Sequence, residues 1–174
     1  MCIRDRFTRA LKTVRHNPKH ILLSQGTQKE FYEGLGDDAN GVIIMSAYHP
    51  KAPFKGSLAG MQMNNADFAA EYHITTGNKP DEDVAITFAL CQGIDQAVRA
   101  TGSVDDQTIM DWLHARTPED PVKTVLGNFS WDDRGLPLGK SFLMVQWQDG
   151  GNLEFDYPTN EFDTAEIVDP KPQW

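Results

Sequence analysis

The order of apolar runs in the first fifty residues constrains the fold most. Residues 7–15 place Phe7, Ala10, Leu11 and Val14 on one face of a helix, and the Asn17-Pro18 step stops it. Residues 21–23 (ILL) then read as a short apolar strand, and residues 24–26 (SQG) as a turn. Residues 27–30 (TQKE) fit a capping box, with Thr27 as the cap, opening a helix that carries Phe31 and Leu35. A turn over residues 36–41 leads into a second apolar strand at 42–47 (VIIMSA). Two apolar strands separated by a helix imply a crossover connection. The expected fold class is therefore α/β, a parallel sheet with helices over its faces.

Residues 48–60 read as a loop, with Pro50, Pro53, Gly56 and Gly60. A helix carrying Phe68, Ala69 and Tyr72 follows and ends near Gly77. The longest helix is expected over residues 82–100, with Val84, Phe88, Cys91, Ile94 and Val98 as its buried stripe and Gly102 just past its end. Cys91 within that stripe reads as a small hydrophobe. Ser103 is the expected cap of a further helix that turns Ile109, Trp112 and Leu113 inward. Beyond Pro121 the period changes to two. Residues 124–131 and 141–147 read as strands of one hairpin joined by the 132–135 (DDRG) turn, with Trp131 and Trp147 stacking across it. A second turn at 149–152 (DGGN) leads to a last strand at 153–157. The acid- and proline-rich end reads as a surface-wrapping or disordered tail in which Trp174 is a candidate anchor.

Composition excludes several functions. The chain has 174 residues, 16 basic and 25 acidic, for a net charge of −9. An acidic chain is a poor nucleic-acid binder, because phosphate recognition needs a basic face. The apolar run at 42–45 falls far short of the ~20 residues that span a bilayer. Two cysteines are too few for a disulfide scaffold. Residues 1–20 are net +5 and the remainder net −14, but no apolar core of a signal peptide follows the basic start. Residues 1–6 (MCIRDR) resemble a translated sequencing adapter, so the natural chain is expected to extend upstream of Phe7.

The order of motifs resembles a known family. Residues 68–72 (FAAEY), 77–80 (GNKP) and the helix to Gly102 are similar to the C-terminal half of branched-chain amino-acid-type substrate-binding proteins of ABC importers. So are residues 124–127 (TVLG), 129–132 (FSWD), Gly135, Gly139-Lys140, 145–150 (VQWQDG), Tyr157-Pro158 and the Pro170-Lys171-Pro172 to Trp174 ending. The resemblance implies the type I periplasmic-binding fold, two Rossmann-like parallel-sheet lobes joined by crossover strands, here incomplete and with a late β-hairpin. It assigns residues 7–60 to the end of the second lobe and 61–140 to the returning part of the first, and 141–174 to the late strands and tail. It further implies an extracytoplasmic receptor that passes an amino acid, amide or related small polar solute to an ABC transporter permease, with no enzyme activity and no cofactor. A cytoplasmic ligand-sensing regulator on the same fold is the alternative.

In that family the loop after the strand matching residues 21–23 carries an acid that meets the ligand ammonium. Here the position holds Gln25, neutral, with one donor and one acceptor group. It suits an amide or hydroxyl and does not balance a buried ammonium, which weighs against an α-amino-acid ligand. Gly26 and Thr27 share this loop, and Tyr48 follows the next strand at the same sheet edge, where ligands of open α/β sheets lie. Gln25, Gly26, Thr27 and Tyr48 are the candidate binding residues. His49 has no nucleophile and supporting acid near it in sequence, so it makes a poor catalytic base. His16 and His20 are four apart, which on a helix could share a metal, but Pro18 between them breaks that geometry and favours a solvated loop. The acidic pairs Asp37-Asp38 and Asp132-Asp133 fit turns better than a calcium loop.

Overall fold

The computed structural model describes residues 3–139, 142–157 and 165–174. Met1, Cys2, Lys140, Ser141 and Pro158, which enter the sequence expectations, lie outside the described residues. In chain order the elements are α1 (Ile3–Thr13), β1 (Ile21–Leu23), α2 (Lys29–Leu35), a 3-10 turn (Gly36–Ala39) and β2 (Val42–Ser46). They continue with β3 (Lys55–Leu58), β4 (Met61–Asn64), α3 (Asn65–Thr76), α4 (Glu82–Thr101) and α5 (Asp106–His114). The last are β5 (Val122–Thr124), β6 (Gly127–Trp131), β7 (Pro137–Leu138), β8 (Leu143–Gln148) and β9 (Asn152–Tyr157). The chain divides into two units, one of residues 1–51 with 142–174, the other of residues 52–141.

The first unit holds a four-stranded sheet in the order β1-β2-β8-β9. β1 and β2 are parallel, with Ile21 opposite Val42, as the strand–helix–strand pattern requires. β8 is antiparallel to β2, and β9 to β8, so the sheet is mixed. Its core is Ile21, Phe31, Val42, Ile44, Leu143 and Val145, all under 5% exposed. Full burial of each such side chain contributes about 1.5–3 kcal/mol. α1 is turned differently from the sequence expectation. Asp5 and Thr8 are buried, whereas Phe7 and Val14 are 52% and 70% exposed. Polar contacts set this orientation: Arg9 hydrogen-bonds the Gly34 carbonyl, and Lys12 pairs with Asp38 at 2.7 Å.

The expected capping box at Thr27 does not form. The N-cap of α2 is Gln28, whose side chain makes no cap hydrogen bond, and Thr27 is buried one residue earlier. Tertiary packing of the preceding loop has displaced the local motif. The tail is ordered over residues 165–174, where the Trp174 indole N–H donates to the His16 carbonyl at 3.1 Å.

The second unit contains α3, α4 and α5, a two-stranded β3–β4 hairpin and a three-stranded β5-β6-β7 sheet. The hairpin lies where a loop was expected. Its turn uses positive φ at Ala59 (54°) and Gly60 (78°), and alanine hides that signal. Asn64 caps α3 by accepting from the Asp67 N–H at 2.8 Å. Asp81 caps α4 through the Val84 N–H at 3.0 Å. Asp105, not Ser103, caps α5: its carboxylate accepts from both the N–H and the hydroxyl of Thr108, and charge-assisted bonds outcompete a serine hydroxyl. Ser103 accepts from the Asp105 N–H instead.

α4 buries Ala85, Ala89 and Ala97 together with Gln92, rather than the expected stripe. Cys91 is exposed and Ile94 is 56% exposed. The reason is close approach: a Cβ on Gly56 would lie 2.2 Å from Gln92 Nε2, so only a glycine lets β3 reach this face. Phe88 is half-buried and stacks on Phe68, with centroids 4.5 Å apart. The expected hairpin between 124–131 and 141–147 is also replaced. β6 pairs with β7 across the 132–135 turn, which Asp132 holds by accepting from the Arg134 and Leu136 N–H groups, both at 2.9 Å. Trp131 therefore stacks on Phe129, and Trp147 packs in the other unit against α2.

Candidate functional site

The candidate site lies at the carboxyl ends of β1 and β2. Because these strands are parallel, with Leu23 opposite Ile44, the loops that follow them leave from the same sheet edge. The first loop holds Gln25, Gly26 and Thr27. Gln25 is exposed, whereas Gly26 and Thr27 are buried. Gly26 has φ of +138°, and its carbonyl accepts a hydrogen bond from the Trp147 indole N–H at 2.8 Å.

The second loop begins at Ala47. Its conformation is held by Ser46, whose hydroxyl donates to the Tyr48 carbonyl at 2.8 Å and accepts from the Tyr48 N–H at 3.1 Å. Tyr48 is buried, and that burial pushes its phenol well above the ordinary range. His49 is also buried. Its Nε2 lies 3.0 Å from the Leu153 carbonyl, and its Nδ1 accepts from the Lys51 N–H at 3.2 Å. A carbonyl only accepts, so Nε2 carries the proton and the ring is the neutral Nε2–H tautomer. Burial lowers its pKa, against the opposing pull of the Leu153 carbonyl. Beside it Lys51 pairs with Glu154 at 2.7 Å.

This arrangement has a clear chemical character. Gln25, Thr27, Tyr48 and His49 carry no charge at neutral pH, so they interact by hydrogen bonding and packing. Both nitrogens of His49 are engaged by backbone groups, which leaves the ring without the open position a general base needs. No cluster of three metal-ligating side chains occurs among the described residues. His20 pairs with Asp169 at 2.7 Å.

No family model matches the chain. Over 138 residues it is 30% identical to the Leu/Ile/Val-binding protein homolog 1 of Brucella suis biovar 1 (strain 1330), covering 78% of this chain and 36% of that relative. Its fold is similar to that of a leucine binding protein, LivK, from Thermotoga maritima MSB8, with a TM-score of 0.67, 20% identity, and 87% of this chain and 40% of the other covered. The chain is similar to part of the branched-chain amino-acid-type substrate-binding proteins. A family member from Streptococcus pneumoniae, the branched-chain amino acid transporter substrate binding protein LivJ in complex with isoleucine, shares the fold with a TM-score of 0.66 at 15% identity. That match covers 95% of this chain and 41% of the other. The chain spans about a third of the length of the curated relatives it matches, and the fold is that of type I periplasmic-binding proteins.

Three features of this candidate site escaped the sequence reading: the Ser46 contacts to Tyr48, the Trp147 bond to Gly26 and the fixed tautomer of His49. Only Trp147 left a usable signal. An indole on an apolar strand must find one acceptor for its N–H when buried.

Proposed function

We propose that this chain is part of an extracytoplasmic solute-binding receptor that delivers an amino acid, amide or related small polar solute to an ABC transporter permease. In this reading residues 7–60 come from the second lobe and 61–140 from the returning part of the first, whereas the structure's own units divide at 51/52 and 141/142. The late strands 142–157 rejoin the second lobe through the β2–β8 pairing.

One observation carries the ligand side of the reading. Two loops whose candidate side chains are uncharged, one presenting Gln25 and the other built around Tyr48, leave adjacent parallel strands at the edge where such folds bind small molecules. Relatives named for leucine, isoleucine and valine binding support the amino-acid class. The neutral Gln25 extends the candidates to amides and hydroxylated solutes.

The test starts with DNA. Sequence upstream of the Phe7 codon is recovered from the source and the complete reading frame is expressed. The product is titrated calorimetrically with leucine, isoleucine, valine, glutamine and simple amides. The expected result is one-site binding of one of these, weakened about tenfold or more by Gln25→Ala. No binding across the panel, or a stop codon and start site just upstream of Phe7, overturns the receptor reading.

A further inference from the structure

We propose that Trp147 is the positioning residue of the Gln25, Gly26, Thr27 loop: its indole N–H holds the Gly26 carbonyl and so presents the Gln25 amide as that loop's polar group. The proposal rests on the receptor reading above.

Trp147 lies on β8, 121 residues from Gly26, and its side chain is buried. The indole has one donor and no acceptor, and that donor is spent on Gly26 at 2.8 Å. The ring also grips the helix that follows the loop. It stacks on Phe31 with centroids 6.5 Å apart and tilts against Tyr32 at 5.3 Å, both on α2. Tyr32 also lies against the β8–β9 turn, where a Cβ on Gly151 would lie 2.7 Å from its ring. One side chain thus fixes the loop at its carbonyl and the next element at its rings.

Gly26 allows no alternative. Its φ of +138° excludes other residues, and a Cβ there would lie 3.0 Å from Ile44 Cδ1 and 3.3 Å from Phe31. Thr27 is buried beside it. With the Gly26 oxygen taken and Thr27 covered, the exposed Gln25 carries the loop's carboxamide. It is held on a loop whose ordering cost is met before any ligand arrives, which is how preorganisation raises affinity. The ligand group met here is one that both donates to and accepts from a carboxamide.

Hydrogen exchange on the 174-residue chain tests this without ligand. In the unaltered chain the Trp147 indole N–H is expected to exchange at least about tenfold more slowly than a free indole. Two variants remove the donor: Trp147→Phe, and replacement of Trp147 by benzothienylalanine, which keeps the fused-ring shape and stacking. In each, the amides of residues 25–28 are expected to exchange about tenfold faster, while those of Ile44 and Val145 stay unchanged. Unchanged loop exchange in the benzothienyl variant overturns the proposal. So does a freely exchanging indole in the unaltered chain, a measurement that stands even if neither variant folds. A chain that orders this loop but binds no solute after restoration of its full reading frame keeps this proposal and loses the receptor reading.

Discussion

The His49 ring and the Leu153 carbonyl, 104 residues apart, meet at 3.0 Å and tie the loop after β2 to β9. The second bond, from the Lys51 N–H to Nδ1, needs the neutral ring, because a proton on Nδ1 would face that donor. Lys51 and Glu154 are the charged groups beside it, the first lowering and the second raising its pKa. Desolvation dominates, so the folded ring holds its proton less well than the ordinary imidazole near 6.5. Below that ordinary value the unfolded chain binds more protons than the folded one, and stability falls with pH until the lowered folded pKa is passed. The unfolding midpoint is expected to drop as pH falls from about 7.5 through that ordinary value and below it, and His49→Gln, which keeps a donor and an acceptor, to remove part of that drop. An identical pH profile in the variant would assign the drop to other groups.

Gly26→Ala is expected to destabilise the first unit by about 1–3 kcal/mol. The added methyl meets Ile44 and Phe31 in the core, and the backbone sits at a φ that alanine resists. Chemical denaturation followed by tryptophan fluorescence, to which Trp147 contributes from the first unit, reads the loss. An unchanged midpoint would mean that the loop relaxes freely, against its hydrogen bond to Trp147.

In the second unit Gln92 is fully buried, and its Oε1 accepts the Val125 N–H at 2.8 Å, tying α4 to the β5–β6 turn. Gly56→Ala places a methyl 2.2 Å from Gln92 Nε2 and 2.6 Å from Oε1, so the amide must swing away and orphan the Val125 N–H. Overpacking and the orphaned donor together are expected to cost about 3 kcal/mol. Amide exchange at Val125 is the local readout, and retained protection there would refute the coupling.

The strand–helix–strand alternation was legible because residues 21–23 and 42–45 are unbroken apolar runs on either side of an amphipathic helix. Helix ends were legible at Gly77 and Gly102, where the motif is local. Pairings that depend on distant chain were not. The 132–135 turn does make a hairpin, but Pro137 and Leu138 close it, and residues 143–148 leave to pair with β2 nearly one hundred residues back. The buried face of α4 was misread because burial here follows close backbone approach, which favours alanine over the larger apolar residues that periodicity counts. For the candidate site, the edge containing Gln25 and Tyr48 followed from topology. The bonds that hold it, from Trp147 and Leu153, come from strands more than one hundred residues away, and local pattern carries no trace of them.

Gln146 docks the tail. Its side chain is fully buried, donates to the Gly41 and Val168 carbonyls at 3.2 and 3.1 Å, and accepts from the Val168 N–H at 2.8 Å. Gln146→Leu keeps the volume and strands those backbone groups, at an expected cost of about 2 kcal/mol. Limited proteolysis should then clip residues 165–174 faster than in the unaltered chain. Equal clipping rates would show that the contacts of Lys171 and Trp174 hold the tail without Gln146.

The outer face of α4 carries Ile86, Leu90 and Ile94, spaced four apart and 38%, 64% and 56% exposed. Beside it a groove of about 510 Å³ opens between α3 and α4, lined by Phe68, Tyr72, Val84 and Phe88. Apolar surface arranged in a continuous stripe associates in water. At micromolar concentration the 174-residue chain is therefore expected to sediment as a mixture of associated species and to unfold over a broad range. Leu90→Lys with Ile94→Lys places charge in the middle of the stripe without touching the buried Ala85, Ala89 and Gln92 face, so helix content should hold while the chain becomes monomeric. A sharp two-state melt from an unsubstituted monomer would sink this account, because the stripe would then be harmless in isolation.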